Sequence, residues 1–271
     1  MVVGTKTQND ILMETVEEHI LSTKELAIGY GAKVVAEHIN FSLEAGTLCG
    51  IVGANGIGKS TLLRTLAGFQ SKLGGRIDIK GKALEDHSPF EMAQKLSVVL
   101  TEPPASKNLT VQELIALGRQ PYTNWLGSLT ILDKEHINQS INAFLLNDLR
   151  NAKCHELSDG QLQRVLIARA MAQDTPLILL DEPTTHLDLY HKVQILKLLQ
   201  QLAHESKKTI VFTTHEIDLA IQLCDKTLIL DSVNNPFGAP CELIEQHHFE
   251  RLFPSEMIQF DAKTGTFKVN K

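Results

Sequence analysis

The residues best suited to chemistry begin with Gly53-Ala54-Asn55-Gly56-Ile57-Gly58-Lys59-Ser60-Thr61. Glycines at this spacing let the backbone curl until successive N–H groups point at one anion, which suits phosphate oxygens. Lys59 is placed to reach β- and γ-phosphates, and the Ser60 hydroxyl to ligand Mg²⁺. Asp181-Glu182-Pro183 follows four consecutive aliphatics, Leu177-Ile178-Leu179-Leu180. A carboxylate at such a strand end is where the ion needs support, so Asp181 is expected to share it with Ser60. Glu182, one residue on, is expected to polarise the attacking water as general base. His215 follows a second apolar run, Ile210-Val211-Phe212-Thr213-Thr214, and is expected to meet the γ-phosphate and position that water. The chemistry these residues fit is hydrolysis of a nucleoside triphosphate with Mg²⁺ as cofactor.

These side chains need a scaffold. The glycine-rich stretch lies between the apolar run Leu48–Val52 and the helix-like Leu62–Ala67, giving strand, turn, helix. Strands are expected near Leu21–Ile28 and Val34–Leu43, with a hairpin around Lys80-Gly81-Lys82, so the N-terminal part carries a small antiparallel sheet. Another strand is expected at Ser97–Leu100, ending in a loop at Pro103-Pro104. From Asn108 to about Lys153 the period becomes helical, with a capping box at Thr110–Glu113, a break at Gly118–Tyr122 and a second helix from Asp133 to Leu146. Helices at Leu162–Ala172, Leu189–Ala203 and Glu216–Leu223 alternate with strands at Leu177–Leu180, Thr209–Thr213 and Lys226–Leu230. That alternation implies a parallel sheet between helices. A short helix near Cys241–Gln246 and a hairpin at Lys263-Thr264-Gly265 close the chain.

The fold class is therefore α/β: a P-loop NTPase core, an N-terminal antiparallel β subdomain and an inserted α-helical subdomain at about 103–155. A 1–19 extension, which includes a short helix near Ile11-Leu12-Met13, precedes the 20–250 domain, and a 251–271 tail follows it.

Among 271 residues the formal net charge of −6 argues against a nucleic-acid partner that relies on a basic surface. The sequence has no basic segment followed by an apolar leader and no apolar run of about 18 residues, so neither secretion nor membrane spanning is expected. Cys49, Cys154, Cys224 and Cys241 lack paired metal-ligand spacing; Cys49 and Cys224 read as small core residues in a reducing cytosol. His247-His248 reads as surface.

Leu157-Ser158-Asp159-Gly160-Gln161 is a further diagnostic stretch. Ser158 suits a helix N-cap, and the same exposed N–H groups and dipole suit an anion. One chain cannot easily bring both this helix and the Gly53–Thr61 loop to one phosphate, whereas two chains related by a two-fold axis can.

The order Gly53–Thr61, Leu157–Gln161, Leu177–Glu182, Thr185-His186-Leu187-Asp188 and His215 resembles the ATP-binding-cassette ATPases over roughly residues 20–245. The resemblance implies that Tyr30 stacks on adenine, that Ser158, Gly160 and Gln161 meet the opposite subunit's ATP, and that Asp188 links the two sites. Two positions depart from the family pattern: Asp159 stands where Gly is usual, and Glu102 stands where Gln usually reaches the metal. Asn108-Leu109-Thr110-Val111 and Leu117-Gly118-Arg119-Gln120-Pro121-Tyr122 resemble importers of iron(III)-siderophores, haem and cobalamin. Such a resemblance implies two copies beneath membrane permease subunits at the cytoplasmic face of the membrane, served by an extracytoplasmic binding protein. Another transported cargo, or a soluble non-transport cassette protein, is the alternative.

Overall fold

The computed structural model describes residues 19–102, 108–231, 234–253 and 258–270. The short helix expected near Ile11–Met13 and the Pro103-Pro104 loop lie outside the described residues.

Strands β1 (Leu21–Tyr30) and β2 (Lys33–Leu43) pair antiparallel from Leu21↔Leu43 to Tyr30↔Lys33. After β3 (Leu48–Val52) and α1 (Lys59–Leu66), β4 (Gly74–Ile79) joins the other edge of β1, and β5 (Lys82–Ala83) completes a four-stranded sheet ordered β2-β1-β4-β5. This is the expected antiparallel subdomain.

The chain then forms α2 (Pro89–Lys95), β6 (Leu96–Val99), α3 (Val111–Ala116), α4 (Ile131–Ala143), α5 (Asp159–Ala172) and β7 (Leu177–Leu180). It continues through α6 (Leu189–Ser206), β8 (Thr209–Thr213), α7 (Ile217–Leu223), β9 (Lys226–Ile229), β10 (Phe237–Gly238) and α8 (Pro240–Glu245). The second sheet runs β10-β9-β3-β8-β7-β6, with β10 antiparallel at one edge and the other five strands parallel.

Burial on both faces explains the aliphatic run in β7. Leu177 and Leu179 pack with Leu62, Leu63 and Leu66 of α1 and with the antiparallel sheet, whereas Ile178 and Leu180 pack among helices on the opposite face. Successive strand side chains point to opposite sides, so a doubly covered strand needs apolar residues at every position. Strands β3, β8 and β7 are neighbours, and their C-terminal ends launch the Gly53–Thr61 loop, His215 and Asp181-Glu182 side by side. Ligands bind at this carboxyl edge in open parallel sheets.

The helical insert is tied at its base by Val111 N–H to Ala152 O at 3.0 Å and Cys154 N–H to Leu109 O at 2.9 Å. Three details refine the expectation. The α-helix ends at Ala116, and the segment expected as a break is a 3₁₀ turn over Leu117–Tyr122. Gly118 is required there because a Cβ would lie 2.3 Å from Arg169 O on α5. Helix α4 starts at Ile131, two residues early, because Thr130 caps it with Asp133 as the third helical residue. Helix α5 starts at Asp159, directly after its Ser158 cap and three residues before Leu162, and packs with α3 and α4.

Strands β11 (Ile258–Asp261) and β12 (Thr266–Val269) form the expected hairpin. Phe260 stacks on Phe249 at 5.4 Å and Phe253 meets Phe267 edge-on at 5.0 Å, so this tail packs onto the body through its aromatic rings. Cys49 and Cys224 are buried, as expected, and so is Cys154.

Candidate functional site

The phosphate loop joins β3 to α1. Gly58 sits at φ 113°, and a Cβ there would lie 2.4 Å from Val35 Cγ1. Only glycine satisfies both constraints. Lys59, 5% exposed, sends Nζ back over the loop, donating to Gly53 O at 2.9 Å and Ala54 O at 3.1 Å. Burial lowers the Lys59 pKa, while the Glu182 and Asp181 carboxylates oppose that shift. Among the other loop residues Asn55 and Gly56 are exposed, and Ala54, Ile57 and Ser60 are half-buried. Thr61 is buried and its hydroxyl pairs with the Tyr30 hydroxyl at 3.0 Å. Tyr30 itself is 57% exposed, so its ring is available beside the loop.

The carboxylates lie across from it. Ser60 Oγ donates to Asp181 Oδ1 at 3.0 Å, and Asp181 is buried. Thr213 Oγ1 donates to the same Oδ1 at 2.7 Å and accepts from the Glu182 N–H at 2.9 Å. Glu182 has φ 48°, an uncommon region for a residue with a side chain. Its carboxylate bonds His215 Nε2 through one oxygen and accepts from Thr185 Oγ1 at 2.9 Å through the other. His215 Nδ1 lies 3.2 Å from Lys59 Nζ, which links the loop to Glu182 through the imidazole. The Ser60 hydroxyl and the buried Asp181 carboxylate are hard oxygen donors, a set that fits Mg²⁺ completed by phosphate and water.

Glu102 is placed differently from the rest. Its carboxylate accepts from Arg64 Nη2 at 2.7 Å, and Arg64 is four residues beyond Ser60 on α1. The structure thus brings Glu102 to the same helix, one turn from the Ser60–Asp181 pair.

The Ser158 stretch is a helix N-terminus. Ser158 Oγ accepts from the Gln161 N–H at 3.3 Å, and Gln161 Oε1 accepts from the Ser158 N–H at 2.9 Å. Asp159 is exposed at the first helical position, where its charge favours the dipole. With Asp188 and His191, these residues line a cleft of about 350 Å³. Glu182 and His215 line a different cleft of about 180 Å³. The two clefts share His186 alone among their lining residues. Asp188 caps α6 through the His191 N–H at 2.9 Å, and that bond and the His191 ring lower its pKa. A larger cavity of about 790 Å³, lined by Phe69, His87, Met92 and Val98, holds none of the phosphate-loop or carboxylate residues.

Thr185, Thr213 and Arg64 have structural roles that sequence reasoning missed. Thr213 carried the one available signal, a hydroxyl at the end of an otherwise apolar strand.

Residues 36–185 match the ABC transporter family. The ferric enterobactin transport ATP-binding protein of Escherichia coli is 32% identical over 91% of this chain and 92% of its own length. A petrobactin import ATP-binding protein of Bacillus anthracis is 34% identical over 91% of each chain. Among solved structures, a metal-chelate type ABC transporter in an inward-facing conformation superposes with TM-score 0.76 at 31% identity, over 87% of this chain and 89% of the other. A dimeric ATP-binding cassette bound to ADP and phosphate superposes with TM-score 0.70 at 25% identity, over 81% and 98%. The chain belongs to the ABC transporter family, in which it is the ATP-binding subunit whose hydrolysis of ATP is coupled to transport.

Proposed function

We propose that this chain energises import of an iron(III)-siderophore or a related metal chelate, through permease subunits on other chains. The observation that carries the cargo class is the full-length similarity to siderophore-import ATP-binding proteins. Among the described residues no helix is long and apolar enough to cross a membrane, in keeping with a pathway built by another chain. The chain then acts at the cytoplasmic face of the membrane, and an extracytoplasmic binding protein delivers cargo to the permease.

Two copies form the motor. Each ATP lies between Gly53–Thr61 of one copy and Ser158, Gly160 and Gln161 of the other, with Tyr30 against adenine and Asp188 linking the two sites. Because both chains touch each nucleotide, ATP favours the closed dimer. Ser60 and Asp181 would hold Mg²⁺, with Glu102 joining them if freed from Arg64, and the bound ion would supply positive charge beside the phosphate oxygens. Glu182 accepts the proton of the attacking water, His215 holds the γ-phosphate and water in line, and ADP departs with phosphate. Loss of the γ-phosphate contact lets the dimer reopen. The groove shared by Phe69, Val98 and Glu102 receives the permease and transmits that movement.

The test is uptake of radioactive iron as ferric siderophores by cells with and without this chain, together with affinity purification. The expected result is lost uptake and recovery of a multi-spanning permease with the chain. Normal uptake of every chelate supplied, with a permease recovered, would move the cargo elsewhere; no permease would remove the transport reading.

A further inference from the structure

The end of β8 carries a hydroxyl in a place where packing alone calls for a hydrocarbon. Thr213 is fully buried, on a strand whose preceding residues Ile210, Val211 and Phe212 are core. A valine would fill the same volume, so the hydroxyl has to be explained by its bonds. It makes two. It donates to Asp181 Oδ1 at 2.7 Å and accepts from the Glu182 N–H at 2.9 Å. One oxygen atom thus bonds the side chain of one acidic residue and the backbone of the next.

Both bonds bear on geometry that is otherwise poorly determined. Asp181 Oδ1 also accepts from Ser60 Oγ at 3.0 Å, so the carboxylate plane is set from two directions, one on α1 and one on β8. Glu182 has left-handed backbone at φ 48°, a conformation that persists only where its surroundings impose it. Its N–H has no place in the β7 ladder, and the Thr213 oxygen supplies the acceptor that keeps it in that turn. The turn aims the Glu182 carboxylate at His215, two residues beyond Thr213 on the same segment.

We infer that Thr213 is a positioning residue for ATP hydrolysis, orienting Asp181 toward the Ser60 hydroxyl and fixing the Glu182 turn so that its carboxylate meets His215. The inference rests on the roles proposed above for Asp181 and Glu182. The hydrogen bonds of the Thr213 hydroxyl go to Asp181 and Glu182, not to Lys59 or Tyr30, so its loss is expected to spare nucleotide capture.

The test is Thr213→Val, which keeps the shape and removes both bonds, beside Thr213→Ser, which keeps the hydroxyl. Thr213→Val is expected to lower kcat about 10–100-fold, the usual effect of removing a partner that orients ligating groups. It should also raise the Mg²⁺ concentration for half-maximal rate, leave KM for ATP within about threefold, and leave binding of a fluorescent ATP analogue in EDTA unchanged. Thr213→Ser should restore kcat to within about threefold. An unchanged kcat and Mg²⁺ requirement in Thr213→Val would overturn the inference, as would a serine variant no better than valine. Equal losses in kcat and in EDTA binding would also overturn it, by showing a general collapse of the site. Should the valine variant not fold, Thr213→Cys keeps the volume with weaker bonds, and parental kcat there overturns the inference. Glu182→Gln assayed alongside separates the two readings: normal hydrolysis in that variant refutes the base assignment itself, whereas an inactive Glu182→Gln beside a normal Thr213→Val refutes only the role of Thr213.

Discussion

Lys59 Nζ lies 3.2 Å from His215 Nδ1, and this contact fixes the histidine tautomer. An ammonium group can only donate, so Nδ1 is the acceptor and the ring proton sits on Nε2. Nε2–H then donates to one Glu182 oxygen, the orientation that the proposed base role requires. Glu182→Gln is expected to cut ATP hydrolysis by about 10²–10⁴-fold while nucleotide binding persists, because the amide cannot accept a proton from the attacking water. His215→Ala should cost less, about 10–100-fold, because it removes orientation and leaves the base. Phosphate release and nucleotide-analogue binding, measured on the same preparations, check both. Hydrolysis in Glu182→Gln at the parental rate would rule the carboxylate out as base.

Tyr30 presents an exposed ring while its hydroxyl is held by Thr61. Stacking of a base on an aromatic side chain contributes about 1–3 kcal/mol. Tyr30→Ala should therefore weaken ATP affinity by on the order of tenfold, and Tyr30→Phe should retain most of it. A titration with ATP in which alanine binds as well as tyrosine would place the adenine elsewhere.

Most of this site was legible in the sequence because its parts lie in short stretches that follow buried strands. Leu177–Leu180 announced a covered strand, and the residues after such strands converge once neighbouring strands run parallel. What the sequence did not disclose were contacts set by register across the sheet. Thr213 meets Asp181 because β7 and β8 are adjacent, and nothing local to either stretch requires it. Glu102 also pairs with Arg64 on α1, a contact between residues 38 positions apart that no local pattern signals. The early starts of α4 and α5 were missed for a different reason. Thr130 caps α4 together with Asp133, the residue expected to begin that helix, whereas for α5 the Ser158 cap is expected but the helix is expected to begin only at Leu162.

Gly160 bears on the two-copy arrangement. It lies in the first turn of α5, and a Cβ there would come within 3.2 Å of Leu187 Cδ2. Gly160→Asp adds a charge where the partner's γ-phosphate is proposed to sit. Each copy should still bind ATP through its own loop, but hydrolysis should fall by at least about tenfold and the ATP-dependent dimer should not form. Size-exclusion chromatography with ATP in a Glu182→Gln background reads the dimer directly. A dimer formed as well with Gly160→Asp as without it would separate α5 from the nucleotide.

Arg119 and Asp133 anchor the helical insert from within, at 2.8 Å with side chains only 4% and 3% exposed. Arg119 also donates to Ala172 O at 2.8 Å and covers the Tyr122 ring at 3.9 Å, so it joins the 3₁₀ turn, α4 and the end of α5. Burial raises the Asp133 pKa, but hydrogen bonds from Thr130 and Arg119 outweigh burial and leave it below the usual value. A depressed carboxylate contributes stability that is complete above the unfolded pKa of about 3.9 and is lost as pH falls through the folded value. Arg119→Ala leaves that charge buried without its partner and is expected to cost about 3 kcal/mol at pH 7. Arg119→Met with Asp133→Leu removes both charges and should recover part of the loss, since two apolar side chains leave no charge to desolvate. Urea unfolding at pH 7 and at pH 3 measures each step. The gap between parent and Arg119→Ala should shrink at the lower pH, because protonation of Asp133 relieves the variant of its buried charge. A gap that stays constant from pH 7 to pH 3 would assign the cost to lost packing over Tyr122 instead.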